Sequence, residues 1–402
     1  MSRTLTLNPT SSLESPAAKH APPSLRVVAI GGGTGLSTLL RGLKRYVPAT
    51  IASRRATDAP PRVPSTQPNP AFPAQPFIDR RAESTTRLLP CSIHDLAAVV
   101  TVTDDGGSSG RLREDLNILP PGDVRNCMVA LSEDELLLAR LFQYRFSQGD
   151  LEGHSFGNLF VAALSGITGD FAQAVQMSSQ ILATRGRIYP ATNTNVTLAA
   201  RMDSGEVVRG ETSITASPHR ILELMLEPPG CEPLPGTLDA IANADLITLG
   251  PGSLYTSLIT NLLVRGIPEA IAASRATRVY VGNLMTQANE SLGLTASQHI
   301  ERILQHCGRG NSNCHSERSE ESPHLSFPKL FDYALINTAP ISPTLIEQYA
   351  REGQAPIEPD LDRIRALGVE PIAGNFVLEG SVLRHDPDRV TEALLQLALR
   401  MA

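Results

Sequence analysis

The fold of this chain is decided by the stretch LRVVAI at residues 25–30 and by GGGTG, which follows at residues 31–35. Short apolar runs rich in valine and isoleucine are typical of strands buried in a parallel sheet. The glycines after the strand predict a tight turn, and residues 36–46 continue with helical periodicity. Strand, glycine turn and helix in this order predict the first unit of an α/β fold.

The glycine turn is also the first candidate ligand site. Without Cβ atoms, backbone N–H groups can approach an anion, and the helix that follows adds its free amides and positive dipole end. Leu36 replaces the last glycine of the dinucleotide fingerprint, and no Walker ending follows, so a tight turn without a ligand remains the alternative. The candidate phosphate-binding residues are Gly31, Gly32, Gly33, Thr34 and Gly35.

A second apolar run, Leu96 to Val102, predicts another buried strand and ends in a polar turn. Carboxylates at a strand end can bind ribose hydroxyls or a hard cation, and glycines and serines add an anion-binding turn. A solvated turn is the alternative. The candidate residues here are Asp104, Asp105, Gly106, Gly107, Ser108, Ser109 and Arg111.

Two further polar segments precede predicted helices, at residues 122–126 and 153–158. An arginine can clamp phosphate, and histidine or asparagine can hydrogen-bond a sugar. Helix capping by Asp123 and a local turn at Asn158 are the alternatives. The candidate residues are Asp123, Arg125, Asn126, His154 and Asn158.

Three later strands are predicted at Asp245–Leu249, Arg278–Val281 and Tyr333–Ile336, each followed by a polar or glycine-containing turn. The turn after the first of these holds the candidates Gly252, Ser253 and Tyr255. Tyr255 could contact a uracil ring or ribose, and a core tyrosine is the alternative.

The predicted organisation is a disordered tail over residues 1–24 and one α/β domain over residues 25–402. Low-complexity, proline-rich or polar composition predicts insertions at residues 48–92 and 310–326. Helical periodicity at Ser132–Phe146 and at Phe160–Ala183, broken near Gly166 and Gly169, predicts a helical cap near residues 112–185.

Composition narrows the function. The net charge is -6 without a basic run, which disfavours nucleic-acid binding, and no apolar stretch is long enough to span a membrane. Five cysteines without a Cys-x-x-Cys pair favour a reducing cytoplasm. The spacing of His306, Cys307, Cys314 and His315 matches no standard zinc site, so no metal site is predicted.

Taken together, six segments resemble the gluconeogenesis factor family, which shares its fold with 2-phospho-L-lactate transferase. Their order covers most of the chain outside the tail and insertions, and the Asp-Asp-Gly-Gly-Ser-Ser-Gly-Arg stretch is the most specific part. The segments are GGGTGLSTLLRGLK from Gly31, VTVTDDGGSSGRLR from Val100, PPGDVRNCMVALS from Pro120, GHSFGNLF from Gly153, LGPGSLYTSLITNLL from Leu249 and GNLMTQ from Gly282.

The resemblance implies a Rossmann-like three-layer fold with a mainly parallel sheet, a cytoplasmic location and a UDP-sugar ligand, notably UDP-N-acetylglucosamine. It implies a role in growth and cell shape on gluconeogenic carbon sources, with no required cofactor, and adds Asn283 of the last segment to the site. The leading interpretation is a non-catalytic sensor that contacts an unidentified protein partner. The alternatives are a magnesium-dependent phospholactyl-type transferase and a nucleotide-linked oxidoreductase. Homo-oligomerisation stays open.

Overall fold

The computed structural model describes residues 22–48, 89–133, 138–307 and 329–401. Residues 1–21 of the predicted tail, residues 49–88 of the first predicted insertion and all of the second lie outside these ranges. The single domain and its insertions therefore stay a prediction.

The strands are short, and most follow a glycine or polar turn. Their bounds are β1 Ser24–Gly31, β2 Ser92–Val100, β3 Arg187–Pro190, β4 Thr197–Met202, β5 Val207–Arg209, β6 Ile221–Glu227, β7 Leu246–Leu249, β8 Thr277–Val281, β9 Tyr333–Asn337, β10 Glu370–Gly374, β11 Val377–Leu378 and β12 Arg384–His385.

The helices lie between and after these strands, and five of them, α2 to α6, follow one another between β2 and β3. Their bounds are α1 Gly33–Lys44, α2 Gly107–Leu116, α3 Gly122–Leu131, α4 Leu138–Gln143, α5 Phe156–Thr168, α6 Phe171–Ile181, α7 Glu211–Ala216, α8 Pro235–Ala242, α9 Thr260–Leu262, α10 Ile267–Ala273, α11 Ala296–Cys307, α12 Pro343–Ala350, α13 Leu361–Ala366 and α14 Pro387–Met401. A π-helical segment, Leu254–Ile259, leads into α9. No helix in the described ranges combines the length and apolar character needed to cross a membrane.

In the described residues, seven strands form one parallel sheet in the order β10-β9-β8-β7-β1-β2-β3. The central strand β1 is buried on both faces. Val27 and Ala29 belong to the core shared with α1, α3 and α14, whereas Val28 and Ile30 belong to the core on the other face. Helices on both faces of a parallel sheet confirm the predicted three-layer α/β fold.

The predicted strands at residues 245–249, 278–281 and 333–336 are confirmed as β7, β8 and β9. The second predicted strand is displaced, because β2 runs from Ser92 to Val100 rather than from Leu96 to Val102. The sequence analysis missed β3 and β10, which lie at the two edges of the sheet and contain prolines. It also missed the antiparallel sheet β5-β4-β6, which carries α7.

The helix predicted over Ser132–Phe146 is confirmed in part, because α4 spans Leu138–Gln143 within that range. Helix α3 ends at Leu131, and Ser132 already has extended backbone. The apolar positions Val124, Cys127, Met128 and Leu131 are spaced i, i+3, i+4 and i+7 and are buried, so α3 is a separate helix that the sequence analysis did not predict. The break predicted near Gly169 is confirmed, since this residue adopts φ 68° between α5 and α6.

Candidate functional site

The order of the strands reverses at β1. From β1 the chain proceeds to β2 and β3 on one side, whereas β7 to β10 lie on the other. In open α/β sheets, such a reversal separates the turns at the carboxyl ends of two neighbouring strands and opens a crevice for ligands. Here the two neighbouring strands are β1 and β7, and each is followed by a glycine turn.

The two turns touch at a point where only glycine fits. A Cβ atom added to Gly35 would lie 2.3 Å from the carbonyl oxygen of Pro251. Gly252 and Ser253 follow on the same side of the crevice. The glycine turns after β1 and β7, which are far apart in the chain, therefore form one site.

This switch-point cleft has a volume of about 270 Å³. Seven of the sequence-predicted residues line it: Gly32, Gly33, Thr34, Gly35, Gly252, Ser253 and Asn283. Gly31 is the last residue of β1, and its carbonyl oxygen accepts hydrogen bonds from Thr101 N and Asn261 Nδ2. Gly31 therefore supports the glycine turn but does not line the cleft.

Helix α1 begins directly in the cleft. Its N-cap, Gly32, has no side chain with which to cap the helix, so the first amides are left for another partner. One of them is already bound, because Gly33 N donates to Asp123 Oδ2 at 2.7 Å. The remaining amides of the first turn and the helix dipole are suited to an anion.

Two further residues that line the cleft, Gln287 and Arg384, were not predicted from the sequence. Gln287 Nε2 donates to Ser253 Oγ at 2.9 Å and fixes that hydroxyl. Arg384 is exposed at the cleft, and its side chain makes no hydrogen bond or ion pair with the described residues. No motif marks this arginine, since the pairing of β11 with β12 brings it there from more than 300 residues away.

Four carboxylates lie beside the glycine turn after β1, and we call them the acidic wall: Asp104, Asp105, Asp123 and Glu211. The two adjacent aspartates have different partners. Asp105 Oδ1 accepts from Thr212 N at 2.8 Å and from Thr212 Oγ1 at 2.6 Å, which ties it to α7. Asp104 Oδ1 accepts only from Gly106 N at 3.0 Å, and its Oδ2 makes no hydrogen bond in the described residues.

Two carboxyl groups of the acidic wall, Asp123 and Glu211, hold their protons more tightly than ordinary carboxyl groups do. Burial raises the pKa of Asp123 to about 6, although the hydrogen bond from Gly33 opposes the shift. Burial first, and then the negative charge of Asp104, raises the pKa of Glu211 to about 9. Glu211 is therefore a neutral acid at pH 7 and can donate a hydrogen bond. Sequence reasoning missed it, because the antiparallel sheet brings it to the wall.

Asp123 does not cap α3, whose N-cap is Pro121; its carboxylate binds the first glycine turn instead. Asn158 is not a local turn residue either. It lies in the first turn of α5, where Ser155 is the N-cap and accepts from Asn158 N at 3.2 Å. Both capping alternatives are wrong in detail.

Behind the acidic wall, Ser108 is the centre of a buried polar network. Its Oγ lies 3.1 Å from His154 Nδ1 and accepts from Asn158 Nδ2 at 3.1 Å. Ser109 packs against Gly122, where an added Cβ atom would lie 2.4 Å from Ser109 Oγ. Gly106 is the N-cap of α2, and Gly107 has φ 47°. These residues position the wall.

The predicted arginines make structural contacts. Arg111 Nη2 donates to Glu152 O at 2.7 Å, and Arg125 Nη2 donates to Asn126 Oδ1 at 2.8 Å. Burial, and next the charge of Arg145, lower the pKa of Arg125. Neither arginine lines the cleft.

Tyr255 does not lie in the cleft. Its side chain is 2% exposed and belongs to a hydrophobic core, with its ring edge-on to His306 at a centroid distance of 5.9 Å. The core-tyrosine alternative describes this position. His306 has both ring nitrogens bound, to Arg302 O and to Leu224 N.

A divalent cation, which the transferase alternative would need, finds little support in the donors. In the described ranges, no three histidine, cysteine, aspartate or glutamate side chains converge as a metal-binding group. The cysteines Cys91, Cys127, Cys231 and Cys307 are free thiols. The acidic wall therefore does not fit a protein-only metal cage.

Comparison with known proteins places this geometry in a family. The model of the family described as 2-phospho-L-lactate transferase CofD matches residues 27–377. A gluconeogenesis factor of Halalkalibacterium halodurans is 43% identical over 92% of this chain and 95% of its own length. That of Bacillus subtilis is 39% identical over 92% of this chain and 98% of its own.

A crystal structure of a UPF0052 family member from Bacillus halodurans, at 2.60 Å resolution, has the same architecture. It superposes with a TM-score of 0.75 and 42% identity, covering 93% of this chain and 99% of that chain. The chain belongs to the CofD family and, within it, to the gluconeogenesis factors.

Proposed function

We propose that this protein binds a UDP-sugar, in the first instance UDP-N-acetylglucosamine, in the switch-point cleft. The observation that carries the proposal is the meeting of the two glycine turns at the start of α1, where free helix amides point to an anion. Arg384, exposed and unpaired at the same cleft, adds a guanidinium suited to phosphate oxygens. The diphosphate is the part of the ligand that these groups would bind.

The sugar fits the acidic wall. Asp104 Oδ2 is available as an acceptor for hydroxyl groups, and protonated Glu211 is available as a donor. We further propose that ligand binding regulates growth and cell shape under gluconeogenic conditions in the cytoplasm, through contact with another protein. The names of the relatives support the link to gluconeogenesis.

A metal-dependent phospholactyl-type transferase is the second candidate. The match to the 2-phospho-L-lactate transferase model and the four clustered carboxylates favour it. No three metal donors converge in the described residues, so a magnesium ion would need ligand phosphates as well as carboxylates.

Calorimetry distinguishes these functions. We expect the full chain to bind UDP-N-acetylglucosamine in the presence of EDTA, and Arg384→Ala to weaken this binding by about tenfold through loss of a charge-assisted hydrogen bond. Arg363→Ala, at another exposed arginine on α13, is the matched control and should leave affinity unchanged. Binding of NAD in preference to the UDP-sugar would contradict the proposal. Turnover of a phospholactyl donor that requires magnesium would favour the transferase.

A further inference from the structure

A second cavity adjoins the cleft at the carboxyl ends of β8 and β9. It has a volume of about 290 Å³ and shares Asn283 and Leu284 with the cleft. We call it the apolar cavity, because its lining is mostly aliphatic, with Ile336, Ile341 and Ile357 among the residues that contribute. A largely apolar pocket with few polar groups is the usual form of a site for a flat organic ring.

His299 is an unpartnered polar group in this lining. Its side chain is 1% exposed, and its Nε2 has no hydrogen-bond partner in the described residues. A buried polar atom without a partner costs free energy, so its retention calls for an explanation. A ligand atom that binds Nε2 would provide one.

The hydrogen bonds around His299 define what Nε2 offers. Burial lowers its pKa to about 4, so the ring is neutral and carries one hydrogen at pH 7. Nδ1 lies 3.3 Å from the Tyr280 hydroxyl. The oxygen of this hydroxyl also accepts a hydrogen bond from the main-chain N–H of Asn283. Because the phenol oxygen already accepts that amide, we assign its hydrogen to the bond with Nδ1, which leaves the ring hydrogen on Nε2. Nε2 is a donor and requires an acceptor.

Asn283 supplies the complementary groups. Its side-chain amide makes no hydrogen bond within the described residues and borders both cavities. An amide offers one acceptor and one donor edge. Together with the Nε2 donor, this set matches a ring imide, in which an N–H group lies between carbonyl oxygens, as in uracil.

We propose that the apolar cavity binds the nucleobase and that His299, with Asn283, selects a base with a carbonyl acceptor. This inference rests on the proposed function and defines the orientation of the ligand in the site. The base lies towards β8 and β9, the diphosphate at the glycine turns, and the sugar at the acidic wall. A sugar is the poorer occupant of the cavity, because its hydroxyl groups would be buried against aliphatic side chains.

The test compares UDP, ADP and ribose 5-diphosphate, which lacks a base, by calorimetry on the full chain with EDTA. We expect UDP to bind at least about tenfold more tightly than either, because adenine does not present the carbonyl that the buried donor needs. In His299→Phe the preference for UDP over ADP should fall to within about threefold. Equal binding of UDP and ADP by the wild type would overturn the assignment.

A second variant guards against misfolding of the histidine variant. Ala339→Trp places a large ring on a half-exposed lining residue, and it should weaken UDP by about tenfold while leaving ribose 5-diphosphate unchanged. Equal loss for both probes, or no loss for UDP, would contradict the nucleobase assignment. Binding of UDP without UDP-N-acetylglucosamine would refute the proposed function alone, and failure to bind either would refute both.

Discussion

The acidic wall lies beside the glycine turn after β1 and the apolar cavity adjoins the cleft, yet the two share almost no chemistry. The wall contains four carboxylates, two of which have raised pKa values, and it accepts hydrogen bonds from Gly33 of α1, from Gly106 before α2 and from Thr212 of α7. The cavity has a mostly aliphatic lining, with the His299 imidazole and the Asn283 amide among its few polar groups. The contrast indicates an unsymmetrical ligand whose hydroxyl-rich end and flat apolar end are joined by an anion.

The largest effect is expected when the two glycine turns, after β1 and after β7, are forced apart. In Gly35→Ala the new methyl group would lie 2.3 Å from the Pro251 carbonyl, and backbone cannot give way as a flexible side chain can. We expect UDP-sugar affinity to fall by at least about thirtyfold, with a loss of several kcal/mol of unfolding free energy. Calorimetry and urea denaturation measure both effects.

Gly166→Ala is the control for the glycine experiment. Gly166 lies inside α5 with nothing within 4 Å of an added Cβ atom, so alanine should be neutral or stabilising by up to about 1 kcal/mol. Wild-type affinity in Gly35→Ala would show that the turns do not need their close contact.

The second experiment sharpens the acidic wall by separating its two adjacent aspartates. Asp104→Asn should weaken metal-free binding of UDP-N-acetylglucosamine by about tenfold, because a free acceptor is replaced by a donor. Asp105→Asn should instead lower the unfolding free energy by roughly 1 to 2 kcal/mol, since its carboxylate binds Thr212. An Asp104→Asn defect confined to magnesium-containing buffer would support the transferase.

The third experiment concerns pH. The folded protein keeps the Glu211 proton between about pH 4.5 and pH 9, whereas the unfolded chain loses it, so stability must fall as pH rises through this window. Glu211→Gln removes this dependence and should be more stable than the wild type at pH 9 by roughly 1 to 3 kcal/mol. Urea denaturation at pH 6 and pH 9 measures the difference.

An exposed glutamate provides the comparison for Glu211. Glu206→Gln changes a charge in the exposed turn between β4 and β5 and should give the wild-type pH profile. If the two variants have the same profile, Glu211 titrates as an ordinary carboxyl group.

The smallest effect is expected at Tyr255, which belongs to neither side. Because its ring is buried in the core, Tyr255→Phe should keep the packing, with affinity within about twofold and stability within about 1 kcal/mol. Tyr255→Ala should lower the melting temperature without a specific loss of binding. A selective loss of UDP-sugar affinity in the phenylalanine variant would show that the hydroxyl reaches the ligand.

The sequence alone was sufficient for the strands that carry the cleft. The apolar runs of β1, β7, β8 and β9 are continuous, because each strand is buried on both faces, and the glycines after β1 and β7 mark turns that require close backbone contact. These signals are local, and local patterns are what a sequence displays. Edge strands β3 and β10 lack them, since an edge needs neither long apolar runs nor freedom from proline.

Tertiary structure alone decided which polar residues meet. Arg384, Glu211 and His299 reach the site through β12, α7 and α11, and no spacing along the chain relates them to a glycine motif. The same distinction separates Asp104 from Asp105, which are equivalent as letters but differ once Thr212 packs against one of them. Burial and partners are set by distant segments, and they determine whether a side chain binds ligand, supports a neighbour or belongs to the core.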